Sequence, residues 1–447
     1  MQIDSLQTLI VGLGKTGLSC ARYLAAQGES FVVTDTRAEP PGLDELVNEY
    51  PETLIHVGGF REKDFSIANR LVLSPGVSLR DEYVASAVNR GAEVLGDIEL
   101  FARSVSAPVI AITGTNGKST VTTLVAEMAK ATGRKVRVGG NLGMPALELL
   151  DSEDTDLYVL ELSSFQLETT HSLNAVAAVV LNITPDHMDR YESVEHYSNT
   201  KASVYRGTGI MVINNDDSIV SKMIDTQRQV IKFSLQQPTS ADEFGVIAEE
   251  SIQWLAFGEE KLLATNELKI PGSHNQSNAL AALALGHAVG LDMASMITTL
   301  KGFTGLAHRS EWVAEKDGVR WFNDSKATNV GATIAALQGM PGPLILIAGG
   351  DGKAADFSEL HKVIANETRD VILFGRDADR IEKVINGVVP VHRATDMQDA
   401  VRIAKQIVKP GDSVLLSPAC ASFDMYSNYM ERGEDFVQAV KREVEHG

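Results

Sequence analysis

The chain is poor in the residues that mark secreted and membrane proteins. It has two cysteines in 447 residues, Cys20 and Cys420, far apart in sequence. Two such residues supply neither a disulfide framework nor a four-cysteine zinc site. No apolar stretch approaches the about 18–20 residues of a membrane span. The first residues lack a basic n-region, and their apolar run is short and broken by glycine, so no signal peptide is expected. Together these absences favour a cytoplasmic protein without a membrane partner. Basic charge is also in deficit, with 40 Lys and Arg against 59 Asp and Glu and a formal net charge of −19. That argues against a protein that coats nucleic acid with a basic face, yet a few lysines lining one cleft can still bind small anions.

What is present is an ordinary globular composition, 44% hydrophobic and 22% charged, in a chain too long for one core. The most informative residues are Gly114-Thr115-Asn116-Gly117-Lys118-Ser119, followed by Thr120. They follow an apolar run, Pro108 to Ile112, and open an amphipathic helix through Val121, Leu124, Val125 and Met128 that Gly133 can end. Strand, glycine turn, Lys-Ser and helix make a phosphate cradle: backbone N–H groups crowd the anion, the lysine reaches terminal phosphates and the hydroxyl can ligate magnesium. Ile112 stands where the usual P-loop has its first glycine, and an ordinary tight turn is the competing explanation.

The pattern divides into three α/β segments, taken as 1–97, 98–303 and 304–447. In the first, an apolar strand (Leu6 to Val11) runs into Gly12-Leu13-Gly14-Lys15-Thr16-Gly17, a helix, and a second strand (Phe31 to Val33) ending at Asp35. Taken literally, that fingerprint predicts a nicotinamide dehydrogenase. The second segment has strands at Leu157 to Leu160 and Val176 to Ile183, a β-rich stretch from Ile210 to Ile270 with a hairpin at Phe257-Gly258-Glu259, and a helix from Asn278 to Val289. The third has strands at Leu344 to Ala348, Val371 to Phe374 and Ser413 to Leu416, a second doubly wound pattern.

Polar residues gather at the carboxyl ends of these strands, where open α/β sheets bind ligands. Glu161 ends one strand. It reads as a solvated carboxylate or, beside a phosphate cradle, as a magnesium ligand. His187 follows the next strand between Asp186 and Asp189 and is either structural or part of the site. Val194, Tyr197, Lys201 and Val204 share one helical face, so Lys201 lies on the apolar side. It either snorkels to water or is desolvated into a neutral amine. The third segment adds His308-Arg309, Asn323 to Asn329, Gly349 to Lys353 and Ser417 to Asp424. Cys420 has no activating pattern and reads as a small core residue.

Assembled, these residues resemble the Mur ligase family over the whole length. The carriers are the Gly114–Ser119 motif without its first glycine, Glu161 to Glu168, Asp186 to Arg190, Asn323 to Asn329 and Ser417 to Ser422. The Asp-Asn-Pro-Arg motif of the diaminopimelate-adding branch is absent. The resemblance implies a Rossmann-like N-terminal domain, a central P-loop-type ATPase domain with a small extra β-sheet, and a Rossmann-like C-terminal domain. It implies ATP-dependent addition of D-glutamate to UDP-N-acetylmuramoyl-L-alanine through an acyl phosphate; a monomer is expected, although the sequence does not give the oligomeric state.

It also implies roles by position. Leu13, Lys15, Thr16, Asp35, Thr36, Arg37 and Gly76 would hold the uridine diphosphate group rather than a nicotinamide, with Asn141 near the substrate phosphates. Gly114 to Thr120, Asn275, Asn278, Arg309 and Asp324 would bind ATP, joined by Lys326. Lys118, Glu161, His187, Lys201 and Lys326 would be catalytic. Ser119, Glu161, His187 and Lys201, the last as a CO₂-derived carbamate, would serve two Mg²⁺ ions. Thr328, Lys353, Ser422 and Phe423 would hold D-glutamate, with Tyr429 where the family usually has Phe. A folylpolyglutamate synthetase-like ligase shares the central chemistry but needs no uridine-binding first domain.

Overall fold

The computed structural model describes residues 8–445 apart from 151–153, 251, 271, 341 and 354. Leu6 and Gln7 of the first expected strand therefore lie outside the described residues. Three sheets follow one another along the chain. The first is formed by β1 (Thr8–Val11), β2 (Phe31–Thr34), β3 (Leu54–His56), β4 (Arg70–Leu73) and β5 (Glu93–Leu95), all parallel, in the order β3-β2-β1-β4-β5. Both faces are covered, as an all-parallel sheet requires: Leu9 and Val11 pack into one cluster with Phe65 and Leu71, while Ile10 packs into another with Leu24 and Val33.

The second sheet has nine strands: β6 (Val109–Thr113), β7 (Val136–Gly140), β8 (Leu157–Glu161), β9 (Ala177–Val180), β10 (Ile210–Asn214), β11 (Val230–Phe233), β12 (Glu243–Glu249), β13 (Ile252–Phe257) and β14 (Glu260–Ala264). Their order is β14-β13-β12-β11-β10-β9-β6-β8-β7. The small extra sheet is the antiparallel β12–β14 portion. It joins the parallel part where Lys232 and Phe233 of β11 pair with Glu243 and Phe244 of β12. The hairpin at Phe257 to Glu259 forms as expected between β13 and β14. The alanine-rich helix spans Ser273–Ala288, starting earlier than its apolar run because Asn275 and Asn278 are buried inside it.

The third sheet comprises β15 (Glu311–Lys316), β16 (Val319–Asn323), β17 (Leu344–Gly349), β18 (Thr368–Phe374), β19 (Val391–Arg393) and β20 (Ser413–Leu416), in the order β15-β16-β20-β17-β18-β19. Ile345 and Ile347 face one core cluster while Leu344, Leu346 and Ala348 face the other, the two-residue alternation of a covered strand. The β15–β16 hairpin was not anticipated. It is the antiparallel edge of an otherwise parallel sheet. The first and second sheets share a core, since Ile10 and Leu24 cluster with Val109, Leu160 and Val180.

Candidate active site

The phosphate cradle sits at the carboxyl end of β6, an interior strand of the second sheet between β9 and β8. Ile112 is fully buried in that strand, so the turn opens only after Thr113. Gly114 has φ +149°, and a Cβ there would lie 2.9 Å from Leu181 Cβ. Gly117 has φ +81°, and a Cβ there would run into Asn278 Oδ1. Both positions therefore demand glycine. Asn116 is gripped by Asn182, whose Oδ1 accepts from the Asn116 N–H at 2.8 Å while its Nδ2 donates to the Asn116 carbonyl at 3.1 Å. The helix Lys118–Ala131 begins with no side-chain cap, which leaves its first turn open to an anion. Lys118 Nζ donates to the carbonyls of Gly114 (2.9 Å) and Thr115 (2.8 Å), folded back over the loop it would leave for a phosphate.

Next to the cradle lie two groups with few partners. Glu161 ends β8, buried, and Asn141 Nδ2 donates to its Oε1 at 2.6 Å. Its Oε2 is buried with no hydrogen-bond partner. Lys201 is 1% exposed, and among the described residues its Nζ reaches Thr113 Oγ1 at 3.4 Å and the Tyr197 ring at 4.8 Å. Burial, then repulsion from Lys118, pushes its pKa well below the ordinary lysine value, against the pull of Asp186 and Glu161. The desolvated alternative is thus the one the fold realises: Tyr197, Lys201 and Val204 all face inward from the helix Val194–Ala202 and the turn after it. His187 adopts φ +57°, a costly backbone for a non-glycine residue, and its ring stands 4.7 Å from Phe165. Burial lowers its pKa below the ordinary histidine value, although Asp186 opposes the shift.

These groups line a cleft of about 350 Å³ together with residues of the third segment. Arg309, Lys326, Thr328, Lys353, Ser422, Phe423 and Tyr429 all reach it. Arg309 Nη2 donates to Ser119 Oγ at 2.6 Å, and Asn329 Nδ2 donates to Asn116 Oδ1 at 3.3 Å, so the third segment touches the cradle directly. Lys326 Nζ lies 3.9 Å over the Tyr429 ring, and burial lowers its pKa to about 8. Five Lys and Arg side chains line the cleft against Glu161 and Asp186, which makes an anion site inside an acidic chain. Behind the wall, Ser119, Thr120, Asn275 and Asn278 are buried under the cradle. Asp324 is buried too, accepting from Ser417 Oγ (2.9 Å) and Ser310 N (3.1 Å), and burial lifts its pKa to about 7.

The first-segment candidates do not line this cleft; there, Pro75 represents their sheet. Leu13 and Asp35 are buried, while Lys15, Thr36, Arg37 and Gly76 are exposed at the carboxyl ends of β1, β2 and β4, with Thr16 half-buried. Asn182, Asp186, Asn329 and the Ser163–Phe165 wall were given no role from sequence, although each lies inside a motif singled out there. Among the described residues no three His, Cys, Asp or Glu side chains could hold a metal ion alone. The open Oε2 of Glu161 beside Lys118 does fit an ion that brings phosphate oxygens as its other ligands.

A strand–turn–helix phosphate cradle that faces basic and hydroxyl groups from another sheet defines a nucleotide-dependent group-transfer enzyme. Comparison with known proteins makes the class specific. Residues 6–96 match the family model "Mur ligase MurD-like, N-terminal domain", 112–286 the Mur ligase middle domain and 308–420 the Mur ligase glutamate ligase domain. The chain is 54% identical over 436 residues to UDP-N-acetylmuramoylalanine–D-glutamate ligase of Nitrosococcus oceani, covering 97% of this chain and 96% of that one. It is 51% identical to the same-named protein of Marinobacter nauticus, over 98% and 99% of the two chains. In fold it is similar to MurF ligase from Thermotoga maritima in complex with ADP, with TM-score 0.64 and 19% identity over 94% and 96%. The chain belongs to the Mur ligase family. No helix among the described residues is long and apolar enough to cross a membrane.

Proposed function

We propose that this enzyme joins the amine of D-glutamate to the carboxylate of UDP-N-acetylmuramoyl-L-alanine, with ATP converted to ADP and phosphate, in cytoplasmic peptidoglycan precursor synthesis. The observation that carries the reading is a single cleft holding Lys118, Glu161 and Lys201 of the central segment opposite Lys326, Thr328, Lys353 and Ser422 of the third. Full-length similarity to D-glutamate ligases supports the choice of substrates. Residues 1–97 would hold the uridine diphosphate group, 98–303 ATP, and 304–447 D-glutamate, the last closing on ATP. The working unit is a monomer, without nucleic-acid or membrane partners.

The alanyl carboxylate attacks the γ-phosphorus of ATP, the bond to the β–γ bridging oxygen breaks, and ADP leaves an acyl phosphate behind. The D-glutamate nitrogen then attacks the acyl carbon. The tetrahedral intermediate expels phosphate, the amine proton passes to a base, and an amide remains. Lys118 swings from the loop carbonyls to the terminal phosphates, and Arg309 and Lys326 meet the charge that develops during transfer. When not engaged by a metal ion, the His187 imidazole, whose pKa burial lowers, would take the amine proton. Glu161, His187 and Ser119 would hold two Mg²⁺ ions with the phosphate oxygens. Such ions neutralise phosphate charge and polarise the transferring group. A neutral Lys201 amine is the form that combines with CO₂, and the resulting carbamate would supply the anion that the Glu161–His187 pair lacks.

Phosphate release from ATP, measured with UDP-N-acetylmuramoyl-L-alanine and either D-glutamate, L-glutamate or neither, tests this reading. Release should require both the sugar nucleotide and the D-isomer. Equal release with L-glutamate, or none with D-glutamate from folded protein in magnesium and bicarbonate, would overturn it.

A further inference from the structure

We infer that Arg190 is a positioning residue that locks the sugar-nucleotide loop of the first segment onto the wall of the reaction cleft. Arg190 follows His187 in the same loop. Its Nε and Nη2 donate to the two oxygens of Glu168 at 3.2 and 2.6 Å, a bidentate pair with each side chain 11% exposed. Its Nη1 donates to the Pro75 carbonyl at 2.9 Å, and Nη2 donates again to the Val77 carbonyl at 3.0 Å. Both carbonyls belong to the turn after β4, at the carboxyl end of the first sheet, where an open parallel sheet binds ligands. The guanidinium carbon lies 4.2 Å over the Phe165 ring, which in turn packs on His187.

One planar cation thus ties a turn of the first sheet to a carboxylate and a ring of the second. Pro75, Phe165 and His187 all line the cleft, so the lock sets the wall that the sugar nucleotide meets. Lysine cannot replace it, because a single ammonium cannot serve a bidentate carboxylate and two carbonyls in one plane. The cradle contacts through Asn182 and Asn278 do not involve Arg190, so ATP binding should be spared.

The identity of the ligand rests on the function proposed above, whereas the lock itself can be read without any ligand. Two variants are needed, Arg190→Ala and Arg190→Lys, because the alanine leaves Glu168 buried and unpaired and can fail to fold. Calorimetry should show UDP-N-acetylmuramoyl-L-alanine bound at least about tenfold more weakly by the folded variants, the loss of one charge-assisted hydrogen bond or more. A non-hydrolysable ATP analogue should keep its affinity within about twofold in the same proteins. Amide exchange at Ser74 and Val77, whose N–H groups are bonded in this turn, should be faster in Arg190→Lys than in the parent, without ligand. Unchanged exchange there, or equal weakening of both ligands, would overturn the inference. Failure of the parent to bind the sugar nucleotide would refute the substrate assignment and leave the exchange result to judge the lock.

Discussion

The carboxyl edge of the first sheet and the central cleft treat their buried charges in opposite ways. At Asp35 every lone pair is in use: the carboxylate accepts from Leu13 N (2.7 Å) and from Arg37 N, Nε and Nη2 (2.8, 2.9 and 2.6 Å). Burial works against ionisation there, but hydrogen bonds from Arg37 and Leu13 outweigh it and hold the carboxyl below the ordinary range. At the cleft, among the described residues, Glu161 Oε2 has no hydrogen-bond partner, and Lys201 Nζ has one long hydrogen bond and the Tyr197 ring. A buried polar group left open is destabilising unless something arrives to meet it. The contrast is between a site whose charges are already satisfied and one whose charges are open. In the second kind of site, strain accumulates as well: His187, His308, Ser310 and Lys353 all have positive φ.

The sharpest way to break this contrast is to remove the open groups. Lys201→Met keeps volume but no nitrogen, and kcat should fall about a thousandfold, as for loss of a preorganised electrostatic group. Thermal stability should hold or rise, since a desolvated amine is gone; a normal kcat in the folded variant would refute a chemical role. Glu161→Gln should lower kcat about a hundredfold and weaken the magnesium dependence, checked by titrating the metal. On the organised side, Asp35→Asn should raise KM for the sugar nucleotide about tenfold and leave kcat nearly intact, because Arg37 loses a charge-assisted partner. A kcat effect as large as that of Glu161→Gln would erase the distinction between the two regions.

The smallest effect is a pH limb. Burial, with repulsion from Arg309 and Lys118, lowers the Lys326 pKa to about 8, so its charge is present below that pH and lost above it. The kcat/KM for ATP should therefore fall several-fold as pH rises through about 8 in the free enzyme. Lys326→Arg, which stays charged, should move the limb to higher pH. By linkage, this lysine's contribution to stability rises between about 8 and 10.5, because the unfolded chain holds the extra proton there.

Much of this was legible in the sequence because local patterns carried it. The apolar face of the Lys201 helix placed Tyr197, Lys201 and Val204 together, though it left open whether Lys201 snorkels or is buried, and the run Ser413–Leu416 became β20 without a residue's change. Patterns failed where polar residues are buried or apolar ones exposed. Asn275 hid the first turn of the Ser273–Ala288 helix, and the edge strand β15 carries Trp312 at 59% exposure. Long-range contacts had no local signal at all. Arg309 on Ser119 and Asn329 on Asn116 join residues 190 and 213 positions apart. The saturation of Asp35 by Arg37 was likewise invisible, because spacing alone does not say which way a guanidinium turns.

The central claim is that the open groups of the cleft, Glu161 Oε2 and the Lys201 amine, are completed by ligands, and Lys201 is its clearest case. Carbon-13 NMR of the enzyme in ¹³C-bicarbonate tests it most directly. A carbamate resonance should appear in the parent protein and be missing from Lys201→Met. An active parent with no such resonance, or a resonance that survives the substitution, would contradict the account.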